Sequence, residues 1–255
     1  NSVSAVVTNR GTIQTDYVVV GAGPWVNTFW KMLDLPTKIK VKDGDKVHEN
    51  VEVWRYYCLQ EGTLGVDPNM LKTNDGEMPP VIHVDTDAPL YSDIDGSLIT
   101  NKMWGIYYKP DFSFDGVQGG AAPYDVDGTD ENFSVDPYGT ESPDFVVGNE
   151  FIDMWCAALA FCQRRFEDSR HLYRTKHASG GLGALAPDSF PVFDVYHENC
   201  YVIADSNHGY KMLGVGKLVA ADIMGESSKL LEPFRFSRFE EGKLHPVSNS
   251  PFPWS

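Results

Sequence analysis

The chain has 255 residues, of which 42% are hydrophobic and 13% aromatic, and its formal net charge at neutral pH is −15. The hydrophobic content excludes a disordered chain, which lacks the apolar side chains that a core needs. The negative charge argues against nucleic acid as a partner, because phosphate binding needs a basic surface. No apolar run approaches the ~18 residues of a membrane-spanning helix. The first ten residues lack a signal-peptide pattern, so we expect a cytoplasmic location without a membrane span.

Two short strands around a turn are predicted first, at residues 2–8 and 11–14. Because the sequence enters a strand almost at once and has no initiator Met, we expect a cut or processed chain. Residues 16–20, DYVVV, form an apolar β-branched run that is typical of a strand buried on both faces. This strand leads into the turn GAGPW at residues 21–25 and then into a helix that ends near Leu33.

The middle of the chain is predicted to be β-rich. Residues 35–148 alternate apolar and polar side chains between clusters of Gly, Pro and Asp, which indicates mostly antiparallel strands. Within this region, residues 111–144 are acidic and rich in Gly and Pro, and they are predicted to form a long surface excursion. A helix follows over residues 149–166, with Asn149 as its cap and with charges that complement the helix dipole.

A second short buried strand is predicted at residues 201–204, YVIA. It leads through the turn DSNHG at 205–209 into a helix from about 210 to 224, with Gly225 as its C-cap. The same plan of strand, glycine turn and helix occurs at residues 16–33. In open α/β sheets, ligands bind beyond the carboxyl ends of strands, where glycine lets a ligand approach the backbone. Both turns are therefore candidates for one shared site.

The first of these turns partly matches the dinucleotide fingerprint G-x-G-x-x-G. Val26 occupies the third glycine position, and no acidic residue follows a second strand about 20 residues further on. Spacing alone therefore favours a glycine turn that lets a strand and a helix pack closely, rather than a phosphate loop.

The sequence offers no metal site. The cysteines form no C-x-x-C pair, which argues against a zinc or redox motif; they are Cys58, Cys156, Cys162 and Cys200. Four cysteines allow two disulfides, but scattered cysteines in a chain of this length are more often reduced and buried. The acidic run at 125–130 does not place a glycine and a terminal glutamate where a calcium-binding EF-hand has them.

Four segments carry a family resemblance. They are RGTIQTDYVVVGAGPW at 10–25, APDSFPVFD at 186–194, NCYVIADSNHGYKMLGVGKLVAADIMG at 199–225 and LEPFRFSRF at 231–239. In this order they resemble the late FAD-domain segment, the motif before the last sheet strand, the flavin-site segment and the tail of the D-amino-acid oxidase superfamily. The most similar branch is that of monomeric sarcosine oxidase and glycine oxidase, and only its C-terminal portion is matched.

The resemblance implies an α/β fold with α+β elements: the C-terminal part of an FAD-binding Rossmann-like domain, plus a substrate domain with a large, mostly antiparallel sheet. It assigns residues 1–34 to the FAD-binding domain, 35–177 to the substrate domain, and 178–255 to a return to the FAD-binding domain and a C-terminal tail. The family's glycine fingerprint lies N-terminal to the matched segments. We therefore expect another chain or a cleaved portion to supply an FAD-binding segment as a partner, and we expect this chain to be unstable alone.

The implied reaction removes hydride from the carbon next to an amine, transfers it to FAD and gives an imine. Glycine-like acids such as sarcosine or iminodiacetate are the candidate substrates by resemblance. An acidic, β-rich subunit that keeps the fold without the chemistry is the alternative from another class of protein.

Site residues follow from the same resemblance. Gly21, Ala22, Gly23 and Trp25 match the family's second flavin-contact turn. A second cofactor-binding segment matches its H-G-F-K motif; its residues are His208, Gly209, Tyr210 and Lys211. At a helix N-terminus, the dipole and Lys211 would stabilise negative charge on reduced flavin.

Two residues are predicted to act on the substrate. In the sarcosine oxidase branch, the lysine that matches Lys211 also binds the substrate carboxylate, whereas the alternative for Lys211 is a solvated surface lysine. Tyr108, within GIYY at 105–108, matches a substrate-site tyrosine of that branch. A plain aromatic residue of a strand is the alternative for Tyr108.

Two departures from the family pattern bear on the chemistry. The branch often links FAD covalently to a cysteine, but SGGLG at 179–183 contains none, so FAD is expected to bind non-covalently. The oxygen-activating lysine of the branch would fall near residues 118–121, where there is no lysine, and Lys109 is out of register. A dehydrogenase that uses another electron acceptor therefore stands beside an oxidase as an open alternative.

Overall fold

The structure, a computed structural model, describes residues 2–123, 127–128, 147–177, 179–204 and 214–246. The strands are β1 Ala5–Thr8, β2 Gly11–Gln14, β3 Val18–Val20, β4 Lys38–Asp43, β5 Lys46–Glu52, β6 Arg55–Leu64, β7 Ile82–Thr86, β8 Leu90–Tyr91, β9 Leu98–Thr100, β10 Trp104–Asp111, β11 Gly116–Pro123, β12 Asp127–Gly128, β13 Ser179–Leu185, β14 Val192–Tyr196 and β15 Cys200–Ala204. The helices are α1 Val26–Met32, α2 Asn149–Cys162, α3 Val215–Ile223 and α4 Arg238–Glu241. None of the helices in these ranges is long and apolar enough to cross a bilayer.

The described residues form two compact units. The first contains residues 2–56, 128, 183–204 and 214–246, and the second contains residues 57–123, 127, 147–177 and 179–182. The unit boundaries therefore lie at 56/57 and 182/183, whereas the predicted domain boundaries lie at 34/35 and 177/178. The hairpin of β4 and β5 belongs to the first unit, where α4 packs against β4, and the predicted domain boundaries stay predictions.

The sheet of the first unit has three strands in the order β14-β15-β3. β15 is central, antiparallel to β14 and parallel to β3. Its apolar run is buried as predicted, and Phe193, Tyr201, Val219 and Leu231 form a core between this sheet, α3 and the C-terminal tail. In contrast, β3 is an edge strand among the described residues. Val19 is 49% exposed, so burial on both faces was a wrong prediction for this position.

Other N-terminal and C-terminal elements match their predictions. β1 and β2 pair as an antiparallel hairpin across the predicted turn. A short 3₁₀ turn precedes α1, and α1 ends one residue before Leu33. α3 ends at Ile223 with Gly225 beyond it at φ +87°, the left-handed conformation expected of a glycine that terminates a helix. Among the described residues α3 begins at Val215, and the predicted start near residue 210 lies outside them.

The second unit is built on a large sheet, and its order is β12-β6-β11-β10-β7, with β13 also paired to β6. The pairs β6–β11, β11–β10 and β10–β7 are all antiparallel. This arrangement confirms the predicted large antiparallel sheet. The sheet and α2 enclose the main core, in which Trp104, Ile106 and Tyr108 of β10 face Trp155 and Leu159 of α2.

α2 is shorter than predicted. It ends at Cys162, because Gln163 has an extended backbone with φ −144°, and a separate 3₁₀ turn, Arg164–Phe166, follows. The N-cap position is Gly148 rather than Asn149, and no side chain caps the helix there. The described cysteines of this helix, Cys156 and Cys162, are free thiols.

One prediction about the middle of the chain was wrong. The segment Gly116–Pro123 was assigned to a surface excursion, but it is strand β11 and lies between β10 and β6. Its sequence, GVQGGAAP, has low strand propensity, yet its glycines fit where neighbouring backbone leaves no room for a side chain. At Gly119, a Cβ atom would overlap the carbonyl oxygen of Tyr107. The rest of the excursion, apart from residues 111–115 and 127–128, lies outside the described residues.

Candidate functional site

The turn after β3 holds four of the predicted cofactor-binding residues. Gly23 has φ +55°, a left-handed conformation that glycine adopts without steric cost. At both Gly21 and Gly23, a Cβ atom would meet nothing within 4 Å. The backbone of this turn therefore borders open space, which fits the close approach of a bound group to the main chain.

The turn is held in place by a long-range hydrogen bond. The hydroxyl group of Tyr56, a fully buried residue, donates to the carbonyl oxygen of Pro24 at 2.7 Å. Within the turn, the amide of Trp25 donates to the carbonyl oxygen of Ala22 at 3.2 Å. These contacts fix the backbone that carries Gly21, Ala22, Gly23 and Trp25.

The two predicted glycine turns follow neighbouring parallel strands. Val20 at the end of β3 pairs with Val202 of β15, and β15 continues to Ala204. The chain therefore leaves both strands at the same edge of the sheet, which is where ligands bind in open α/β sheets. His208, Gly209, Tyr210 and Lys211 lie outside the described residues, so their roles stay predictions.

In the first unit, one arginine of the C-terminal tail connects the three-stranded sheet to α3. Arg235 donates to Asp222 Oδ2 at 2.6 Å and to the carbonyl oxygen of Phe193 at 2.8 Å. The hydroxyl group of Tyr201 donates to the same Asp222 oxygen at 2.9 Å. Burial, followed by the hydrogen bond to Asp222, raises the pKa of Tyr201 to about 12, so this hydroxyl stays a neutral donor at physiological pH.

A second arginine joins two of the segments that carry the family resemblance. Arg238, in the tail, binds both carboxylate oxygens of Asp188 at 2.8 Å, and the two residues are 2% and 3% exposed. Burial alone would raise the pKa of Asp188. The hydrogen bonds and charge of Arg238, with the amides of His245 and Phe190, nevertheless hold that pKa below its ordinary value. Sequence reasoning missed this pair; the available signal was that charged residues occur inside two motifs that are rich in apolar residues.

Tyr108 lies in the other unit and in its core. Its side chain is 1% exposed, its ring contacts Phe166 edge-to-face, and its hydroxyl group accepts a hydrogen bond from Gln163 at 2.8 Å. Burial raises the pKa of Tyr108 to about 12. These are the contacts of a packed strand residue, which was the alternative to the predicted catalytic role.

Substitution of Tyr108 by Phe separates these two roles. If packing is its role, Tyr108→Phe removes the acceptor for Gln163 and lowers the free energy of unfolding by about 1–2 kcal/mol, with no change in kcat. Urea denaturation and steady-state kinetics measure the two quantities, and Tyr91→Phe, at an exposed position, serves as the control. A large fall in kcat without a loss of stability would restore the catalytic assignment.

The opposite face of the same sheet is polar, and sequence reasoning did not identify it. Tyr107 alternates with Tyr108 along β10, and its hydroxyl group donates to Glu61 Oε1. The ring of His83, paired with Tyr107 across β7, contacts the tyrosine ring with centroids 6.1 Å apart. We call Glu61, Tyr107 and His83 the β10 polar cluster. Strand alternation was the available signal, because successive side chains point to opposite faces.

Lys109 lies on this polar face as well. It pairs directly with Gln118 across β10 and β11, and side chains at paired positions are neighbours on one face of a sheet. Although Lys109 is out of register in the sequence, the sheet thus brings a lysine beside the position where the family's oxygen-activating lysine was expected.

Solved structures share this fold. No protein-family model and no curated protein sequence matches the chain. L-Proline dehydrogenase from P. horikoshii matches with a TM-score of 0.55 and 21% identity, over 96% of this chain and 52% of that one. Glycine oxidase from Geobacillus kaustophilus matches with a TM-score of 0.52 and 15% identity, over 92% and 48%.

A third similar structure is a modified fructosyl peptide oxidase from Aspergillus nidulans, with a TM-score of 0.51 and 14% identity, over 91% of this chain and 48% of that one. This chain therefore spans about half the length of the solved structures that it resembles. The predicted fold class is confirmed, and the resemblance found in the sequence holds for the fold: the chain has the fold of one half of these amino-acid and amine oxidoreductases.

Proposed function

We propose that this chain is part of an FAD-dependent oxidoreductase that oxidises a small amine or amino acid. The observation that carries the proposal is the parallel pair β3–β15. The carboxyl ends of these strands lie at one edge of the sheet, where β3 leads into the turn at 21–25 and β15 leads towards the turn predicted at 205–209. The shared fold supports it, since the similar structures are those of a proline dehydrogenase, a glycine oxidase and a fructosyl peptide oxidase.

The cofactor would be held, without a covalent bond, by residues of both turns. Gly21 and Gly23 offer backbone that borders open space, and Ala22 and Trp25 complete the first turn. In the proposal, the second turn contributes His208, Gly209, Tyr210 and Lys211. When bound, FAD supplies the redox chemistry, since it accepts a hydride from the carbon next to an amine.

The substrate that this site would take is an amino acid, with Lys211 binding its carboxylate. Sarcosine-like and iminodiacetate-like acids are the proposed class. The electron acceptor is either oxygen or another molecule.

A partner segment would complete the cofactor site. β3 presents an edge in the described part of the sheet, with Val19 half exposed. Strands with an open edge and an apolar face are templates for pairing with further chain. We propose that an FAD-binding segment, on another chain or on a separated portion of the same polypeptide, pairs along this edge.

The function is tested on the protein purified together with any chain that accompanies it. The expected result is a yellow preparation whose flavin is released on denaturation and whose visible absorbance bleaches when sarcosine, glycine or proline is added without oxygen. Oxygen consumption, compared with dye reduction, then distinguishes an oxidase from a dehydrogenase. A colourless folded protein that takes up no FAD would refute the proposal and favour a non-catalytic subunit.

Lys211→Met is expected to weaken substrate binding in that preparation. Loss of a charged partner for a buried carboxylate costs about 2–5 kcal/mol, so the amine concentration for half-maximal bleaching should rise at least about 30-fold. Lys229→Met, in the same unit, is the matched control. A half-maximal concentration equal to that of the control would assign Lys211 to the solvated surface.

A further inference from the structure

The first unit contains a cleft between the β4–β5 hairpin and the C-terminal tail. Its volume is about 530 Å³, which is within the range of ~300–1,000 Å³ that is usual for small-molecule sites. The described residues that line it come from β4, β5, the segment before β14 and the tail after α4, and all of them lie outside the glycine turn at 21–25. The cleft is therefore a candidate ligand site that the proposed flavin contacts do not use.

Half of the described lining residues are apolar. They are Val41, Val51, Pro187, Leu244 and Pro246. Val41 is buried, whereas Val51 and Leu244 are half-buried and keep part of their surface open to the cleft. Because burial of apolar surface is favourable, these residues favour a ligand with a hydrocarbon body.

Two polar residues of the lining are fixed by their own contacts. The carboxylate of Asp188 accepts two hydrogen bonds from Arg238. It accepts two more from the amides of Phe190 and His245, so its roughly four lone-pair sites are all used. The ring of His245 stacks against Phe190 and Phe234, with centroids 4.3 and 4.8 Å apart. Asp188 therefore forms part of a rigid wall and cannot also bind a ligand.

Asp43 and His48 are the polar lining residues whose side chains are open. Both are exposed, and neither has a hydrogen bond or an ion pair within the described ranges. Across the hairpin, His48 pairs with Val41 and Asp43 pairs with Lys46. Asp43 lies two residues from Val41, so these three lining residues share one face of the hairpin. The carboxylate of Asp43 thus offers unused acceptor sites at the cleft, and a neutral imidazole at His48 would add one more.

The charges of the lining select the chemistry of the ligand. Among the described lining residues there is no lysine or arginine, so a carboxylate or phosphate ligand would lose its hydration without gaining a cationic partner. A metal ion does not suit the site either, since the described residues hold no group of three side chains placed to bind one. An ammonium group suits the free carboxylate, because hydrogen bonds between ionised partners are the strong ones.

We propose that this cleft binds a small organic amine that has no carboxylate. Its ammonium group donates to Asp43, and its hydrocarbon body packs against Val51 and Leu244. The formal net charge of −15 raises the concentration of such cations near the surface. Binding here involves no flavin and no turnover, so the inference stands or falls separately from the proposed function.

The test is calorimetric titration of the protein as purified, without oxygen or an added electron acceptor, so that the heat reports binding. The probes are 2-phenylethylamine, 2-phenylethanol and phenylacetate, and the matching set tryptamine, indole-3-ethanol and indole-3-acetate. Wild type should bind at least one amine more tightly than the alcohol and the acid with the same ring. Asp43→Asn should weaken that amine by about five- to tenfold and leave the alcohol unchanged.

Matched variants identify the place of binding. Asp45→Asn removes an exposed carboxylate from the same hairpin turn and should change no affinity. Leu244→Ala should weaken the amine and the alcohol alike, by about three- to tenfold, whereas Leu230→Ala, at a position that is 68% exposed, should weaken neither.

Several results would overturn the proposal. These are the absence of amine binding to wild type, an acid that binds as tightly as its amine, and equal amine affinities in Asp43→Asn and Asp45→Asn. Equal affinities in Leu244→Ala and Leu230→Ala would show that amines bind a surface carboxylate outside the cleft. Amine binding that depends on Asp43 in a colourless protein would keep the cleft and remove the oxidoreductase, and amine-dependent bleaching without any effect of Asp43→Asn would do the reverse.

Discussion

Arg238→Met is expected to lower the free energy of unfolding by about 3–5 kcal/mol, because it leaves the carboxylate of Asp188 buried without its cation. The pair is almost fully inaccessible, with side-chain exposures of 3% and 1%. Arg238 also donates to the carbonyl oxygens of Phe190 and Phe234, at 2.9 and 3.0 Å. The substitution therefore leaves acceptors in two segments without their donor, and urea denaturation of the purified protein measures the loss.

Arg164→Met is the control for this prediction. Arg164 pairs with Glu167 three residues away, but its side chain is 92% exposed, and exposed pairs contribute about 0–1 kcal/mol. The two variants thus remove the same group from opposite environments. Similar losses in both would show that burial of the Arg238–Asp188 pair does not determine its contribution.

The pH dependence of the same variant has a defined sign. In wild type, the pKa of Asp188 lies below its ordinary value of 3.8, so its contribution to stability is present above that value and disappears as pH falls through the lowered pKa. In Arg238→Met, burial acts on Asp188 without the cation, which raises its pKa and makes protonation favour the folded state. The difference in the free energy of unfolding between wild type and Arg238→Met should therefore become smaller as the pH is lowered from about 7 to about 4.

Local patterns predicted the elements that frame the site. The apolar runs of β3 and β15, each followed by a glycine turn, gave strands within two residues of their observed bounds. Their shared plan of strand, turn and helix indicated one shared site for the two turns, but it did not predict that the two strands pair in parallel. The edge position of β3 did not follow, because a short apolar run looks the same whether one or two neighbours cover it.

Local sequence patterns could not predict contacts between residues that are far apart in the chain. Asp188 and Arg238 are 50 residues apart, and no local pattern pairs one charge with another at that distance. Alternation along GIYY indicated that Tyr107 and Tyr108 point to opposite faces of the sheet, but it did not indicate which face packs against α2. That depends on the neighbours of β10, and one of these, β11, was itself assigned to a loop.

Gly119→Ala is expected to disrupt the large sheet. Gly119 pairs with Tyr108 on one side and with Gly62 on the other. A Cβ atom there would overlap the carbonyl oxygen of Tyr107 and lie 2.8 Å from the Cα atom of Tyr108. Because both obstacles are backbone atoms, β10 and β11 would have to move apart, at a cost of about 3 kcal/mol or more. We expect most of the variant to be insoluble, and the soluble remainder to unfold at a lower urea concentration.

Gly216→Ala provides a control of opposite sign. Gly216 lies inside α3, and a Cβ atom there would meet nothing within 4 Å. Alanine is favoured over glycine within a helix by about 0.5–1 kcal/mol, so this variant should be slightly more stable than wild type. The contrast isolates the cause, since one added methyl group meets backbone at β11 and open space at α3. A Gly119→Ala protein as soluble and stable as Gly216→Ala would mean that β11 does not lie between β10 and β6, and the face that carries Tyr107 and Glu61 would then have to be reassigned.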